Sequence, residues 1–218
     1  METKKTVYGR FASIYDLLST VYSFGGISKL KRMQVQSIKK GERILFAGAG
    51  GGEDALLAAR KGASVVVVEL SSDMIEVARK RIQDVETDKN ITFICDDIMN
   101  YRVDKEFDRI YCNFFLNVFS IDTVPIVIKN LLSSLKDNGE FVIGDFACTK
   151  ELSIQYFLQV LYFGVAAFFF VLTAKNPLHK LYDYRAICSS LEVELKGIKF
   201  VKVFNFTAFM TLAFKKKS

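Results

Sequence analysis

One segment limits what this chain can fold into more than any other: RILFAGAGGGEDALLAARKGASVVVVEL, from Arg43 to Leu70. An apolar run of strand length enters a burst of glycines, and an alanine-rich helical pattern follows until Gly62 stops it. A second apolar run, SVVVVEL, then closes on an acid, Glu69. Strands that are apolar on both faces and joined by helices belong to a parallel sheet covered on both sides. Glycines at the turn bring backbone close to a ligand at the carboxyl edge of the strands, where open α/β sheets bind.

The alternation continues down the chain. SDMIEVARKRIQDV reads as a helix capped by Ser72 or Asp73, ITFICDD and FDRIYCNF as strands, DTVPIVIKNLLSSL as a helix, KDNG as a turn and EFVIGDF as a strand. IKFVKVFNF and AFMTLAFK complete the pattern as a hairpin on the edge of the same sheet. The expected fold is a Rossmann-like, doubly wound α/β sheet, mostly parallel, with an antiparallel C-terminal edge hairpin. At 218 residues, half of them hydrophobic, the chain can build one sizeable core, and it has no repeat or linker.

The glycine segment also narrows the ligand. Glu69 stands one βα unit after the loop, in position to accept hydrogen bonds from ribose hydroxyls. The dinucleotide pattern G-x-G-x-x-G fails, because its last position is Glu53, and Glu53 and Asp54 sit where a pyrophosphate needs the bare positive end of a helix. A nucleoside without phosphates and with a positive charge suits the loop, and S-adenosylmethionine is such a molecule. Four scattered cysteines with no CxxC pair, and one histidine, make no recognisable metal cage, so reduced buried thiols are expected. The net charge of +6 comes from dispersed lysines and arginines, and no aromatic-basic stripe suggests nucleic acid.

These residues resemble the class I S-adenosylmethionine-dependent methyltransferases over nearly the whole chain, from about Tyr8 to Phe214. Gly48, Gly50 and Gly52, with Ala49 between them, match the family's G-x-G-x-G loop under the methionine part of the cofactor. The resemblance implies that Glu69 and Leu70 meet the ribose, and that Asp97, with Asp96 and Ile98, meets the adenine. It also implies that Asn113, after the fourth strand, lies near the methyl donor. One departure stands out: where the family carries an acid two residues before the first glycine, this chain has Phe46. The cofactor's amino group must then find carbonyl oxygens or another acid, for which Glu53 and Asp145 are candidates.

The remaining segments bear on the acceptor. VYGRFASIYDLLSTVYSFGGISKLKR resembles the N-terminal lid of quinone-ring C-methyltransferases of ubiquinone and menaquinone biosynthesis, and of bacterial phospholipid N-methyltransferases. Its Tyr8, Phe11 and Tyr15 are either core aromatics or a lid that excludes water from the transferred methyl. Leu152 to Ala174 carries no charge. A membrane span there would strand the last two strands, so one or two buried helices are expected, forming an apolar pocket, a monotopic membrane face or a dimer contact. His179, Tyr182 and Tyr184 follow that run; His179 and Tyr184 are the candidate bases, against the simpler role of surface or core residues.

The whole gives one domain over 1–218: a lid over 1–40, a cofactor core over 41–147, an apolar substrate lid over 148–190 and edge strands over 191–218. The expected substrate is a hydrophobic or lipid-like small molecule, a quinone-type ring being favoured. The alternatives are a phospholipid or natural-product N/O-methyltransferase and a non-catalytic cofactor-binding protein. METKKTVYGR lacks the apolar stretch of a signal peptide, which predicts a cytoplasmic protein, at most peripheral on the cytoplasmic membrane face.

Overall fold

The computed structural model describes residues 23–48, 50–82, 89–147, 154, 156–164 and 181–217. Seven strands form one sheet: β1 (Arg43–Ala47), β2 (Ser64–Glu69), β3 (Ile91–Cys95), β4 (Phe107–Asn113), β5 (Leu135–Phe146), β6 (Val193–Val203) and β7 (Phe206–Lys216). Their spatial order is β3-β2-β1-β4-β5-β7-β6. The first five run parallel, and β7 and β6 join antiparallel at the edge. This is the doubly wound sheet with an edge hairpin that the alternation of apolar runs predicts.

Helices cover both faces. α1 (Gly26–Val35), α2 (Glu53–Arg60) and α3 (Ser72–Ile82) pack on one face, where Val35, Ala55, Ala58, Ala59, Ala78 and Ile82 meet the even-numbered side chains of β1, Ile44 and Phe46. α4 (Val124–Ser134) and α6 (Tyr184–Ser189) cover the other face, burying Leu45, Ala47, Ile110 and Cys112. Small residues on α2 let it lie close to the sheet and to α3. A Cβ on Gly52 would come within 3.0 Å of the Ala78 Cβ, and its φ of 76° is one that glycine adopts without strain.

Several local details differ from the sequence reading. The helix after β2 is capped by Ser71 rather than Ser72 or Asp73: Ser71 Oγ accepts from the Met74 N–H at 3.3 Å. The KDNG turn is absorbed into β5 as an irregularity, since Leu135 pairs with Phe107 while Glu140 pairs with Arg109. Cys112 and Cys188 are buried, but Cys95 is exposed, because it ends its strand at the carboxyl edge. Cys148 lies outside the described residues.

A further helix, α5 (156–164), lies across the carboxyl edge. Its inner side is held by a hydrogen bond from Gln159 to the Thr207 carbonyl at 2.7 Å and by ring contacts of Tyr162 with Phe206 and Phe209 and of Phe163 with Phe146. No helix among the described residues is long and apolar enough to cross a membrane. Most of the uncharged run from Leu152 to Ala174 lies outside them.

Candidate functional site

The carboxyl ends of β1, β2, β3 and β4 bring most of the sequence candidates to one rim. Gly48 and Gly50 have φ of 88° and 46°, in the left-handed region, so the loop between β1 and α2 turns sharply enough to present bare backbone. Among the described residues, the nearest atoms around Gly48 are those of the Phe115 ring, and around Gly50 only Lys31 Nζ comes near, 3.9 Å from the position a Cβ would take. Ala49 lies outside the described residues.

Glu69 ends β2, and its Oε1 accepts from the Ser71 N–H at 2.9 Å, which orients the carboxylate beside the first turn of α3. Leu70 next to it is exposed. Past β3, Asp96 Oδ1 accepts from the Asp97 N–H at 2.7 Å and Asp97 Oδ1 from the Met99 N–H at 2.9 Å. Both carboxylates are thus pinned by local turns, while Ile98 is buried behind them.

Asn113, the last residue of β4, donates from Nδ2 to Asp54 Oδ2 at 3.0 Å. Its Oδ1 is buried against Gly144 and the Gln34 amide, with no hydrogen-bond partner among the described residues. Phe114 follows with φ of 52°, a conformation that costs a bulky residue energy and is commonest where function holds it. Its ring is clamped edge-on by Phe146 and Phe209.

Asp54 and Lys31 carry a feature that sequence reasoning missed. Asp54 was legible only as an acid at the start of a helix that disfavours a pyrophosphate, and Lys31 only as one of the dispersed basic residues. In the fold, Lys31 Nζ stands 3.6 Å from Asp54 Oδ1, with side chains only 12% and 9% exposed. Phe46, where the family carries its acid, is buried against Tyr111, ring centroids 5.0 Å apart and nearly parallel. Glu53 is occupied on the outside by Ser28 Oγ at 3.1 Å and by Arg32. No motif spacing could have singled out Lys31, since it reaches the loop from a helix before β1.

Asp145 lies on the other face of the sheet. Its carboxylate accepts from the Tyr184 hydroxyl at 2.5 Å, from Asn117 Nδ2 at 3.0 Å and from the Phe146 N–H at 2.8 Å. Burial pushes its pKa up to about 6, against the pull of those three hydrogen bonds. Tyr184 is itself buried, and burial and the Asp145 charge hold its phenol well above its ordinary value. The structure therefore brings Tyr184 to Asp145, not to the glycine loop. His179, Tyr8, Phe11 and Tyr15 lie outside the described residues.

A polar cavity of about 220 Å³ opens at the opposite edge of the sheet, among Lys39, Glu42, Asp108, Arg109, Lys136 and Lys215. It is far from the glycine loop, and Arg109 and Lys136 are engaged there in ion pairs with Glu42, Glu140 and Asp108.

The rim fits a nucleoside linked to an amino acid. It offers carboxylates for hydroxyl and amino donors, bare glycine backbone, and the Lys31 ammonium beside it. It suits a phosphate poorly, since Glu53 and Asp54 open α2. Sheet order, edge hairpin and glycine loop together define the class I S-adenosylmethionine-dependent methyltransferase fold.

Comparison with known proteins agrees. Residues 44–139 match the methyltransferase domain family. The N-methyltransferase NodS from Bradyrhizobium japonicum, solved with S-adenosylhomocysteine, superposes with a TM-score of 0.66 at 14% identity, over 90% of this chain and 88% of that one. A demethylmenaquinone methyltransferase of Thermotoga maritima is 33% identical over 150 residues, 65% of this chain and 62% of its own. A malonyl-[acyl-carrier protein] O-methyltransferase of Priestia megaterium is 26% identical over 144 residues, 65% of this chain and 50% of its own. The chain thus spans less than two thirds of the length of these two relatives. Over residues 44–139 it carries a methyltransferase domain, and its fold is that of the class I S-adenosylmethionine-dependent methyltransferases.

Proposed function

We propose that the protein transfers the methyl group of S-adenosylmethionine to a hydrophobic small molecule met at a membrane surface, a quinone-type ring being the favoured acceptor. The observation that carries this reading is the outer side of α5 and its neighbours. Ile154, Phe157, Leu158 and Leu161, at positions i, i+3, i+4 and i+7, all face solvent, Phe157 with 67% of its surface exposed. Beside the edge hairpin, Phe204 is 71% exposed and stacks edge-on with the equally bare Phe24, ring centroids 4.4 Å apart. Both hold left-handed backbone, φ 46° and 47°, at a cost that an exposed phenylalanine does not repay in water. An apolar surface at the carboxyl edge of the sheet, on a chain of net charge +6, suits the boundary of an anionic bilayer. The demethylmenaquinone methyltransferases among its relatives support the quinone ring.

In this reading Gly48, Ala49, Gly50, Gly52 and Asn113 hold the methionine end of the cofactor, Glu69 and Leu70 the ribose, and Asp96, Asp97 and Ile98 the adenine. When bound, the cofactor supplies a methyl carried on a sulfonium, whose charge disappears on transfer, so a dry apolar site does not oppose the reaction. The chain's own work is then alignment and the exclusion of water. The aromatic wall of Phe114, Phe115 and Phe146 serves both. Where the acceptor must release a proton, His179 takes it, since Tyr184 is buried against Asp145 on the other face of the sheet.

Mass spectrometry of a total lipid extract incubated with the protein and methyl-labelled S-adenosylmethionine tests the assignment. Label is expected on a quinone-type ring. Label on a phospholipid headgroup would replace the acceptor, and no label with intact cofactor binding would leave a non-catalytic binding protein. Cosedimentation with anionic vesicles tests the surface: Phe157→Ser with Phe204→Ser is expected to abolish it, and unchanged binding would remove the membrane from the reading.

A further inference from the structure

We infer that Lys31 and Asp54 form a zwitterion clamp, in which Lys31 takes the carboxylate of the cofactor's amino-acid end while Asp54 takes its ammonium in place of the acid that Phe46 displaces. The inference rests on the cofactor reading above and adds to it two residues outside the glycine loop.

Three observations converge on these residues. The two charges are nearly removed from solvent, yet at 3.6 Å they are too far apart for a hydrogen bond, so the pair is not saturated internally. An ion pair desolvated in this way contributes little stability by itself, because the cost of drying both charges offsets their attraction. The second oxygen of Asp54 accepts from Asn113 Nδ2, which holds the carboxylate at the end of β4 beside the glycine loop. Finally, Lys31 Nζ borders the bare face of Gly50, 3.9 Å from where a Cβ would stand, the one such neighbour among the described residues outside the loop itself, so a group lying on that glycine meets the lysine.

The alternatives are spatially poor. Glu53 is engaged by Ser28 and Arg32 on the outside of the α1–α2 contact. Asp145 faces α6 on the opposite side of the sheet, tied to Tyr184. The Phe46 ring occupies the space beneath the clamp by stacking on Tyr111. That stack leaves the ammonium without its usual acid, and Asp54 is the described carboxylate beside both the loop and Asn113.

Calorimetry with two ligands tests this: S-adenosylhomocysteine, which carries the amino-acid end, and 5′-methylthioadenosine, which keeps the nucleoside and lacks that end. In the native protein the first is expected to bind the tighter. Lys31→Met and Asp54→Asn are each expected to weaken S-adenosylhomocysteine by about 10-fold or more, the scale of a charge-assisted hydrogen bond, and 5′-methylthioadenosine by less than about twofold. Retained affinity for the second ligand shows that each variant is folded at the site. Lys31→Arg, which keeps the charge, is expected to restore most of the affinity. Equal loss for both ligands, or none for S-adenosylhomocysteine, overturns the clamp and leaves the cofactor assignment standing. A native protein that binds neither ligand overturns the cofactor assignment, and the clamp with it.

Discussion

The two ends of β4 carry buried charge in two different ways, and α1 is the partner at both. Arg109, near the start of the strand, donates from Nε to Glu42 at 3.0 Å, from Nη1 to Glu140 at 2.5 Å and to Ser37 Oγ at 3.1 Å, and from Nη2 to the Ser37 carbonyl at 3.2 Å. Asn113, four residues on and on the same face, donates to Asp54, whose pair with Lys31 is loose. Tyr111 lies between them, its hydroxyl 3.5 Å from the Gln34 carbonyl. Lys31, Gln34 and Ser37, spaced by three along α1 and its end, thus run beside Asn113, Tyr111 and Arg109. The Arg109 end is saturated and serves the fold. At the Asn113 end the ion pair stays loose, and strained Phe114 follows, which is what a site awaiting a ligand requires.

The comparison breaks most readily at Arg109. Arg109→Met strands Glu42 and Glu140 together and is expected to cost about 3 kcal/mol in denaturant unfolding. Lys31→Met leaves a single buried carboxylate, Asp54, which keeps its hydrogen bond from Asn113, and is expected to cost less, about 1 to 2 kcal/mol. Equal losses would mean that the Lys31 end is as structural as the other.

Glu69→Ala sharpens the contrast from the ligand side. It removes a carboxylate at the rim and is expected to weaken S-adenosylhomocysteine by about 1.5 to 3 kcal/mol in calorimetry, with little change in unfolding. NAD is expected not to compete, and tight NAD binding would overturn the assignment of the rim.

A further effect concerns pH. Folding raises Asp145 from 3.8 to about 6, so between those values the native state holds a proton that the unfolded chain has released. Its contribution to stability therefore falls as pH rises from about 4 to about 6 and levels off above. At roughly 1.4 kcal/mol per pKa unit the fall is about 3 kcal/mol, and Asp145→Asn is expected to flatten it. A variant with the native slope would place the titration elsewhere.

The course of the parallel strands, the glycine turn and the edge hairpin were legible because each is a local pattern: apolar runs of strand length, helical spacing, and glycines where left-handed backbone is needed. The same holds for Glu69, Asp96, Asp97 and Asn113, since each ends a strand, or follows one, at the carboxyl edge. Local pattern also reached the apolar run, though not which of its side chains face out, because α5 is apolar on both sides and packing alone selects Tyr162 and Phe163 for the inside.

By itself the sequence determined the class of fold and the edge at which a ligand binds, since both follow from periodicity and turn chemistry along the chain. Only the tertiary structure decided which charges meet. Lys31 and Asp54 are 23 positions apart with β1 and the glycine loop between them, and Tyr184 reaches Asp145 across 39 positions. Such pairs are set by how helices seat on the sheet, and that depends on the shape of the whole core rather than on any spacing in the chain.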